Sequence, residues 1–501
     1  MNTDKSVVVI GAGIGGIVAA ARLQRMGFRV TVLEKNSKPG GRASQIVREG
    51  HRFDIGPTLF LMPEVWEETY AALGERLQDH LDLRRIDPTY TVRFEGGTQL
   101  QLTSNLGNMQ AQLEAVDPAA FTGFLGFMAE GSRHYKVSLE KFVGRNFNSL
   151  AEYFSLANLP LLFQLKALQK HYANTSRFFQ NDRLRAAFTF QNMYLGVSPF
   201  EAPATFSLLQ YTELAEGVWY PMGGMYRAIE TLTGIAEKLG VRFLYNAPVR
   251  EIIVDAQKVK GVVTEDGQEF TADLFVGNAD LPYIYQQLLP ASSEARRLEK
   301  QRYTCSTIMF YWAVDKKYAQ LDHHNVFLGG DYRESFKRIF DEHDLPDRPS
   351  FYVHAPARTD AAAAPADGDT LYVLVPVGHL DPVSDQDWQA RVRFARKAVL
   401  DRLATDMGIT DLEQHLKFEI VYQPETWRDQ FNLHKGAAFG LSHNFSQVGY
   451  FRPRNRHAQY RNLYFAGAST HPGTGLPIVL LSAKLTSERI AADLGIAVGA
   501  G

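Results

Sequence analysis

Cysteine is nearly missing: the 501-residue chain carries one, Cys305. A single cysteine excludes an intramolecular disulfide, leaves no basis for a metal–thiolate cluster and suits a reducing compartment. Free cysteine is most often a small core residue, and Cys305 is read as one. Long apolar runs are also missing. No stretch of about 18 apolar residues exists, so the sequence offers no membrane-spanning helix. Neither sign of charge dominates. The 53 basic and 55 acidic residues give a formal net charge of −2, which offers nucleic acid no electrostatic footing. Repeats and lipidation motifs are absent. The low-complexity patch Ala361-Ala362-Ala363-Ala364 runs into Pro365-Ala366-Asp367-Gly368 and reads as a surface loop. What remains is ordinary for a large globular chain of two or more domains, with 45% hydrophobic and 22% charged residues.

The first 35 residues organise the rest. Val7-Val8-Val9-Ile10 is a short β-branched run leading into Gly11-Ala12-Gly13-Ile14-Gly15-Gly16. Apolar residues then recur at helical spacing up to Met26, and Gly27 ends the helix. Arg29-Val30-Thr31-Val32-Leu33 is a second strand with Glu34 at its end. Strand, glycine turn, helix, strand and acid make a dinucleotide-binding unit. Gly11 lets the chain turn, Gly13 admits a pyrophosphate to the backbone, and Gly16 lets helix and strand pack closely. Free N–H groups at the helix start favour phosphate. Glu34 stands where a ribose-binding acid is expected and would repel a 2′-phosphate, which argues against NADP. A signal peptide is the competing reading of the charge-free stretch after Lys5. The glycine spacing and the completed nucleotide unit exclude it.

Downstream, Pro39-Gly40-Gly41-Arg42 supplies unusual backbone angles and a guanidinium, and Phe53-Asp54-Ile55-Gly56-Pro57-Thr58 is a loop able to press on a bound ring. Runs flanking Gly96-Gly97 predict a hairpin, and residues 117–190 read as helical and aromatic. Leu159 to Leu168 is the most apolar part, with Lys166 and Lys170 nearby. It suits either a core helix or a segment lying in a membrane interface, lysines toward the headgroups. An aromatic stretch from Phe188 to Pro203 and the run Gly217 to Met225 suit an apolar ligand. Strands follow at 241–246, 249–254, 259–264, 269–272 and 274–280, then at 306–314 and 370–377. His323-His324 is not read as a metal pair: neighbours on a strand face opposite ways, and no acid or cysteine cluster accompanies them. No metal site is expected. Near the end, Tyr464-Phe465-Ala466-Gly467 is a strand entering a tight loop, and 478–490 reads as a helix with Pro477 in its first turn.

The glycine unit, the Gly-Gly-Arg turn and Asp54-Ile55-Gly56-Pro57-Thr58 resemble the N-terminal pattern of the flavin amine oxidase and carotenoid desaturase superfamily. The stretches 188–203 and 217–225 resemble the bacterial and fungal type of phytoene desaturase, as do Asp322-His323-His324-Asn325 and Tyr352-Val353-His354-Ala355-Pro356. The resemblance implies FAD as cofactor. It also implies an α/β fold: a Rossmann-like FAD-binding domain of the glutathione-reductase type, with an inserted α+β substrate domain and a helical region able to associate with a membrane. The expected division is FAD-binding at 1–94, 216–298 and 426–501, a helical substrate and membrane part at 95–215, and a second substrate part at 299–425. FAD contacts are expected from Gly11, Gly13, Gly16, Glu34, Lys35, Gly40, Gly41, Arg42, Gly56, Pro57, Thr58, Val249, Asn278, Gly467, Ala468, Gly475 and Ile478. Ala468 stands where many FAD folds carry an aspartate, so no carboxylate contact is assigned there.

The implied reaction is desaturation of a hydrophobic polyene, phytoene or a related carotenoid, by hydride transfer to flavin. Oxygen or a quinone is the expected electron acceptor, and the expected location is the cytoplasm, peripheral on the membrane. Glu201 and His471 lie in family-like stretches and are the candidate acid–base residues, each with a loop-ordering hydrogen bond as its alternative role. Three other functions stay open at this stage. One is a carotenoid desaturase or saturase for another substrate, such as diapophytoene, hydroxyneurosporene or zeta-carotene. The second is an amine or protoporphyrinogen oxidase. The third is a non-catalytic prenyl-lipid carrier, which the intact Gly11, Gly13, Gly16 and Glu34 speak against.

Overall fold

The computed structural model describes residues 4–147, 149–381 and 386–496. Its first sheet has five parallel strands in the order Leu463–Phe465, Leu274–Gly277, Ser6–Ile10, Arg29–Leu33 and Arg242–Leu244. The strands are short and apolar on both faces, as a sheet covered by helices must be. The helices Ile14–Arg25, Tyr226–Lys238 and Leu476–Asp493 pack together over it. Beside it, Val249–Asp255, Lys258–Thr264 and Glu269–Thr271 form a separate antiparallel sheet.

The second large sheet has seven strands in the order Leu416–Tyr422, Ser306–Val314, Asp369–Val377, Phe351–His354, His324–Leu328, Tyr90–Phe94 and Gln99–Leu102. All nine residues of Ser306–Val314 are buried because both faces are covered. One face packs on the helix Trp388–Met407, and the other on Phe53, Ile55 and Trp427. The expected hairpin around Gly96-Gly97 is this sheet's edge, so residue 94 ends one of its strands; the division expected there falls inside a hairpin. The helices Leu106–Val116, Ala120–Ser138 and Asp182–Ala187 pack against that edge.

The Ala361 to Ala364 patch differs from its expected surface loop. Ala361 and Ala362 are exposed, whereas Ala363 and Ala364 are buried, because Ala363 O accepts from the Thr370 hydroxyl at 2.7 Å.

Asp54 holds the two regions in register. Its carboxylate accepts from Met225 N at 2.8 Å and Tyr226 N at 3.0 Å, capping the helix Tyr226–Lys238 from a distant hairpin. Gly224, at φ +90, permits this, since a Cβ there would lie 2.8 Å from Asp54 Oδ2. Asp54→Ala leaves two buried N–H groups unsatisfied. It should lower stability by about 1–3 kcal/mol, read as a lower urea midpoint with an unchanged slope.

Candidate active site

One continuous cavity of about 470 Å³ runs between the two sheets. Its nucleotide half is built by the glycine turn. Gly11, at φ +99, swings the chain out of the first strand, and Gly13 and Gly15 face the cavity. The 12-residue helix Ile14–Arg25 presents its unbonded first N–H groups there. Glu34 is buried; its Oε2 accepts from Ala12 N at 2.7 Å and its Oε1 from Asn36 N at 2.8 Å. The acid therefore fixes the glycine turn to the end of the second strand while lining the cavity. Asn278 Nδ2 donates to Ala466 O at 2.8 Å, and its buried Oδ1 has no partner among the described residues. An orphaned acceptor, a bare glycine turn and a helix start around one hollow fit a dinucleotide.

Of the expected cofactor residues, Gly11, Gly13, Glu34, Lys35, Gly40, Gly41, Arg42, Gly56, Pro57, Thr58, Val249, Asn278, Gly467, Ala468 and Gly475 all line this cavity. Arg42 reaches Ala438 O at 2.7 Å, and Lys35 reaches Asn432 Oδ1 at 2.8 Å. Gly16 and Ile478 do not line it. Gly16 works through packing: a Cβ there would lie 2.1 Å from Gly11 O. Ile478 sits in the first turn of Leu476–Asp493 and packs on the nucleotide core.

Both acid–base candidates are corrected. Glu201 lies at the surface, paired with Arg302 and half exposed. His471 is buried away from the cavity, its Nε2 bonded to Arg145 O at 2.8 Å. Each orders a loop.

The sequence reading missed Arg452. Its side chain is fully buried, yet no carboxylate touches it. Nε donates to Thr470 O at 3.1 Å, Nη1 to Ser442 O at 3.0 Å and Gln447 O at 3.2 Å, and Nη2 to Leu441 O at 3.2 Å and to Ala468 O. Every guanidinium N–H ends on a backbone carbonyl. Burial pulls its pKa down to about 9, opposed by the nearby Asp280 carboxylate, which accepts from Ser469 Oγ at 2.6 Å. Ala468 and Thr470 line the cavity, so this cation shapes its wall.

The other half of the cavity is walled by the seven-stranded sheet and the 190–195 turn: Phe190, Met193, Tyr194, Met309, Val326 and Leu374. Cys305 also lines it, its thiol pushed up to about 12 by burial and so inert as a nucleophile. Behind this wall the histidine reading needs revision. His323 precedes its strand, so the alternation argument does not apply. Ring nitrogens of His323, His324 and His354 lie within 4.8 Å of one another. They are engaged within the protein: His323 Nε2 with His354 Nε2 at 3.1 Å, His323 Nδ1 with Thr359 at 2.7 Å and His324 Nδ1 with the Tyr352 hydroxyl at 2.6 Å. Tyr352 in turn meets Thr58 Oγ1 at 2.9 Å, so the group positions the cavity wall. Burial holds all three imidazoles well below their usual pKa and therefore neutral.

A nucleotide cradle running directly into an apolar chamber, on this pair of sheets, defines a flavin-dependent oxidoreductase. The family model "Flavin containing amine oxidoreductase" matches residues 14–491. The zeta-carotene-forming phytoene desaturase of Myxococcus xanthus is 48% identical over 488 residues, covering 97% of this chain and 94% of the relative. Phytoene desaturase of Fusarium fujikuroi is 43% identical over 513 residues, covering 98% and 90%. Putrescine oxidase bound to putrescine shares the fold, with a TM-score of 0.63, 15% identity and 99% of each chain covered. The chain belongs to the phytoene desaturase branch of the flavin-containing amine oxidoreductases, and FAD is its cofactor.

Two variants test this site. Gly16→Ala should purify without flavin absorbance, because the helix cannot close on the turn. Arg452→Met should lose at least about 3 kcal/mol in chemical denaturation, since several buried carbonyls lose their donors at roughly 1–3 kcal/mol each.

Proposed function

We propose that this chain desaturates a long apolar polyene, phytoene or a related carotenoid. The observation that carries the reading is the character of the sheet-side half of the cavity. Its described lining is aromatic and aliphatic with a few hydroxyls and contains no charged side chain. A substrate amine would find no carboxylate there to pair with, which speaks against amine oxidation. A polyene has no polar handle, so shape and burial must select it. The finer fold reading, a Rossmann-like domain of the glutathione-reductase type, is supported by the all-parallel sheet and its glycine turn.

When bound, FAD supplies a two-electron acceptor for hydride. The protein does the rest. The nucleotide half binds and orients the cofactor through the glycine turn, Glu34 and Arg42. The apolar half aligns the polyene and excludes water. The start of the helix Leu476–Asp493 and the Arg452 cation place positive potential at the cofactor end, which favours arriving negative charge. Oxygen or a quinone would take up the electrons afterwards.

We also propose that the protein works at a membrane surface on the cytoplasmic side. Among the described residues no helix is long and apolar enough to cross a membrane. The helix Leu159–Gln164 buries none of its residues, and Leu156, Phe163 and Leu168 are 89%, 79% and 75% exposed. A bilayer is the fitting occupant, being also the store of such a substrate. Of the two lysines, Lys166 does not point outward but turns inward to Glu130 and to Asn174 Oδ1 at 3.0 Å, so it orders the loop beneath the apolar tip.

Purified protein given phytoene in liposomes under anaerobic conditions should lose its flavin absorbance as polyene bands appear. A flavin indifferent to phytoene but bleached by an amine or porphyrinogen overturns the reading. Replacing Leu156, Phe163 and Leu168 together by serine should abolish sedimentation with liposomes while flavin content stays unchanged.

A further inference from the structure

Behind Tyr194 lies an acid that none of the steps above uses. Glu213, on the helical turn Thr212–Glu216, is 1% exposed. The Tyr90 hydroxyl donates to its Oε1 at 3.2 Å, and its buried Oε2 has no hydrogen-bond partner among the described residues. Tyr194 lines the cavity, its ring 6.4 Å from that of Tyr90; its buried hydroxyl has no hydrogen-bond partner among the described residues and interacts electrostatically with the Glu213 carboxyl. Gln210 donates to Gln191 Oε1 at 2.9 Å, and its own Oε1 is open. Buried oxygens without well-formed hydrogen bonds are costly, at about 1–3 kcal/mol each, and a hydrocarbon in the cavity satisfies none of these. Leucine or methionine would fill the site more cheaply. This arrangement suits a proton, which a desaturase must remove from an apolar cavity.

We propose that Tyr194 and Glu213 form the proton-accepting pair of the reaction, a reading that rests on the desaturase function proposed above. The substrate carbon beside the one losing hydride breaks its C–H bond, and that electron pair becomes the new double bond. The proton joins the Tyr194 oxygen as the Tyr194 proton passes to the Glu213 carboxylate, leaving a neutral phenol and a neutral carboxylic acid. The hydride and its electron pair leave to the oxidised flavin, so the substrate loses two hydrogens and two electrons. Tyr194 touches the substrate. Glu213 acts through it and holds the proton.

The electrostatics agree. Burial raises the Glu213 carboxyl to about 8, with the neighbouring Tyr90, Gln191 and Tyr194 opposing it only in part. Among the described residues no cation acts on it: Tyr90 from its strand and Tyr194 and Gln191 from the 190–195 turn face it, Gln210 holds Gln191 from behind, and neutral His324 and Tyr352 lie beyond Tyr90. Tyr90 and Tyr194 are pushed well above the usual phenol range by burial, and His324 well below the usual imidazole range. Glu216, at about 7, faces Tyr135 and Glu64 instead. A base poised near working pH is the efficient one.

The test is Glu213→Gln and Tyr194→Phe in flavin-loaded enzyme, read by anaerobic single-turnover bleaching with phytoene across pH. Wild type should bleach faster as pH rises through about 8, because the carboxylate is the active form. Glu213→Gln keeps the Tyr90 bond and should retain flavin content and melting temperature. It should slow bleaching by roughly 100-fold or more and lose that pH limb. Tyr194→Phe should slow comparably, and Glu213→Asp should recover part of both rate and limb. Infrared spectra should show a protonated carboxyl titrating with a midpoint near 8 in wild type, distinct from the lower-titrating Glu216 and Asp54 because Glu213→Gln alone removes it, with no substrate needed. Glu213→Gln bleaching at the wild-type rate, or no such titrating band, overturns the proposal. Wild-type protein inert to phytoene overturns the desaturase reading and this proposal with it. An active wild type with unimpaired variants overturns this proposal alone.

Discussion

A buried guanidinium bonded only to carbonyls is the interaction on which this cavity depends. Arg452 joins the backbone at Leu441, Ser442 and Gln447 to that at Ala468 and Thr470. The loop at 468–474 must stay fixed because the cavity wall is its surface, and Arg452 adds to the Leu441 N–Ser469 Oγ and Thr474 N–His443 Nε2 bonds that tie it to its neighbour. A carboxylate partner would neutralise the charge and leave the carbonyls competing for it. Without one, all five donors serve the loops, and the desolvation cost of several kcal/mol is offset by charge-assisted bonds of about 1.5–3 kcal/mol each. Lysine could not replace it, since one ammonium lacks the planar fork that reaches five acceptors.

That fixed wall explains how a chain that crosses repeatedly between two sheets can enclose one site. Asp54 ties the hairpin after the glycine turn to the helix Tyr226–Lys238. The Tyr311 and Tyr372 hydroxyls, on central strands of the larger sheet, donate to Ile55 O and Gly56 O at 2.6 and 2.7 Å. The Asp-x-Gly-Pro-Thr loop is thus anchored on one side to the nucleotide domain and on the other to the substrate sheet. Its Thr58 continues through Tyr352 to the histidine group. The boundary between cofactor and substrate is therefore made by one short loop bonded from both sides.

What could be read in the sequence was what depends on near neighbours. Turn, helix start and acid lie within one βαβ unit, and their residue types follow from local backbone needs. The strands at 249–254, 259–264 and 306–314 were visible for the same reason. What could not be read depends on partners far away in the chain. Tyr90 and Glu213 are 123 residues apart, and the Tyr352 hydroxyl that orders Thr58 is 294 residues from it. Glu213 looks like any helical glutamate until it is seen to be buried, and Arg452 like any loop arginine. Glu201 and His471 misled because their stretches are family-like, whereas only burial and cavity position separate a loop-ordering group from one that meets substrate. For His323-His324 the strand-alternation argument fails because the strand starts at His324, and the third ring, His354, joins them only through the pairing of two strands.

The two halves of the cavity differ in what charge they favour. The cofactor half carries charge of both signs: Glu34, Glu265 and Asp280 line it together with Lys35, Arg42 and two helix starts, and Arg452 lies behind its Ala468 and Thr470 wall. The sheet-side half lacks charge at its surface and has a carboxyl just behind it. Removing a hydride and a proton from adjacent carbons creates opposite charges that must be kept apart, because no water is present to screen them. A helix start and a guanidinium where the hydride goes, with a carboxylate where the proton goes, would lower the energy of both departures. An evenly neutral cavity would bind a polyene equally well and stabilise neither, so it would bind without accelerating. The uneven charge of these walls is what a binding protein of the same fold would have no reason to keep.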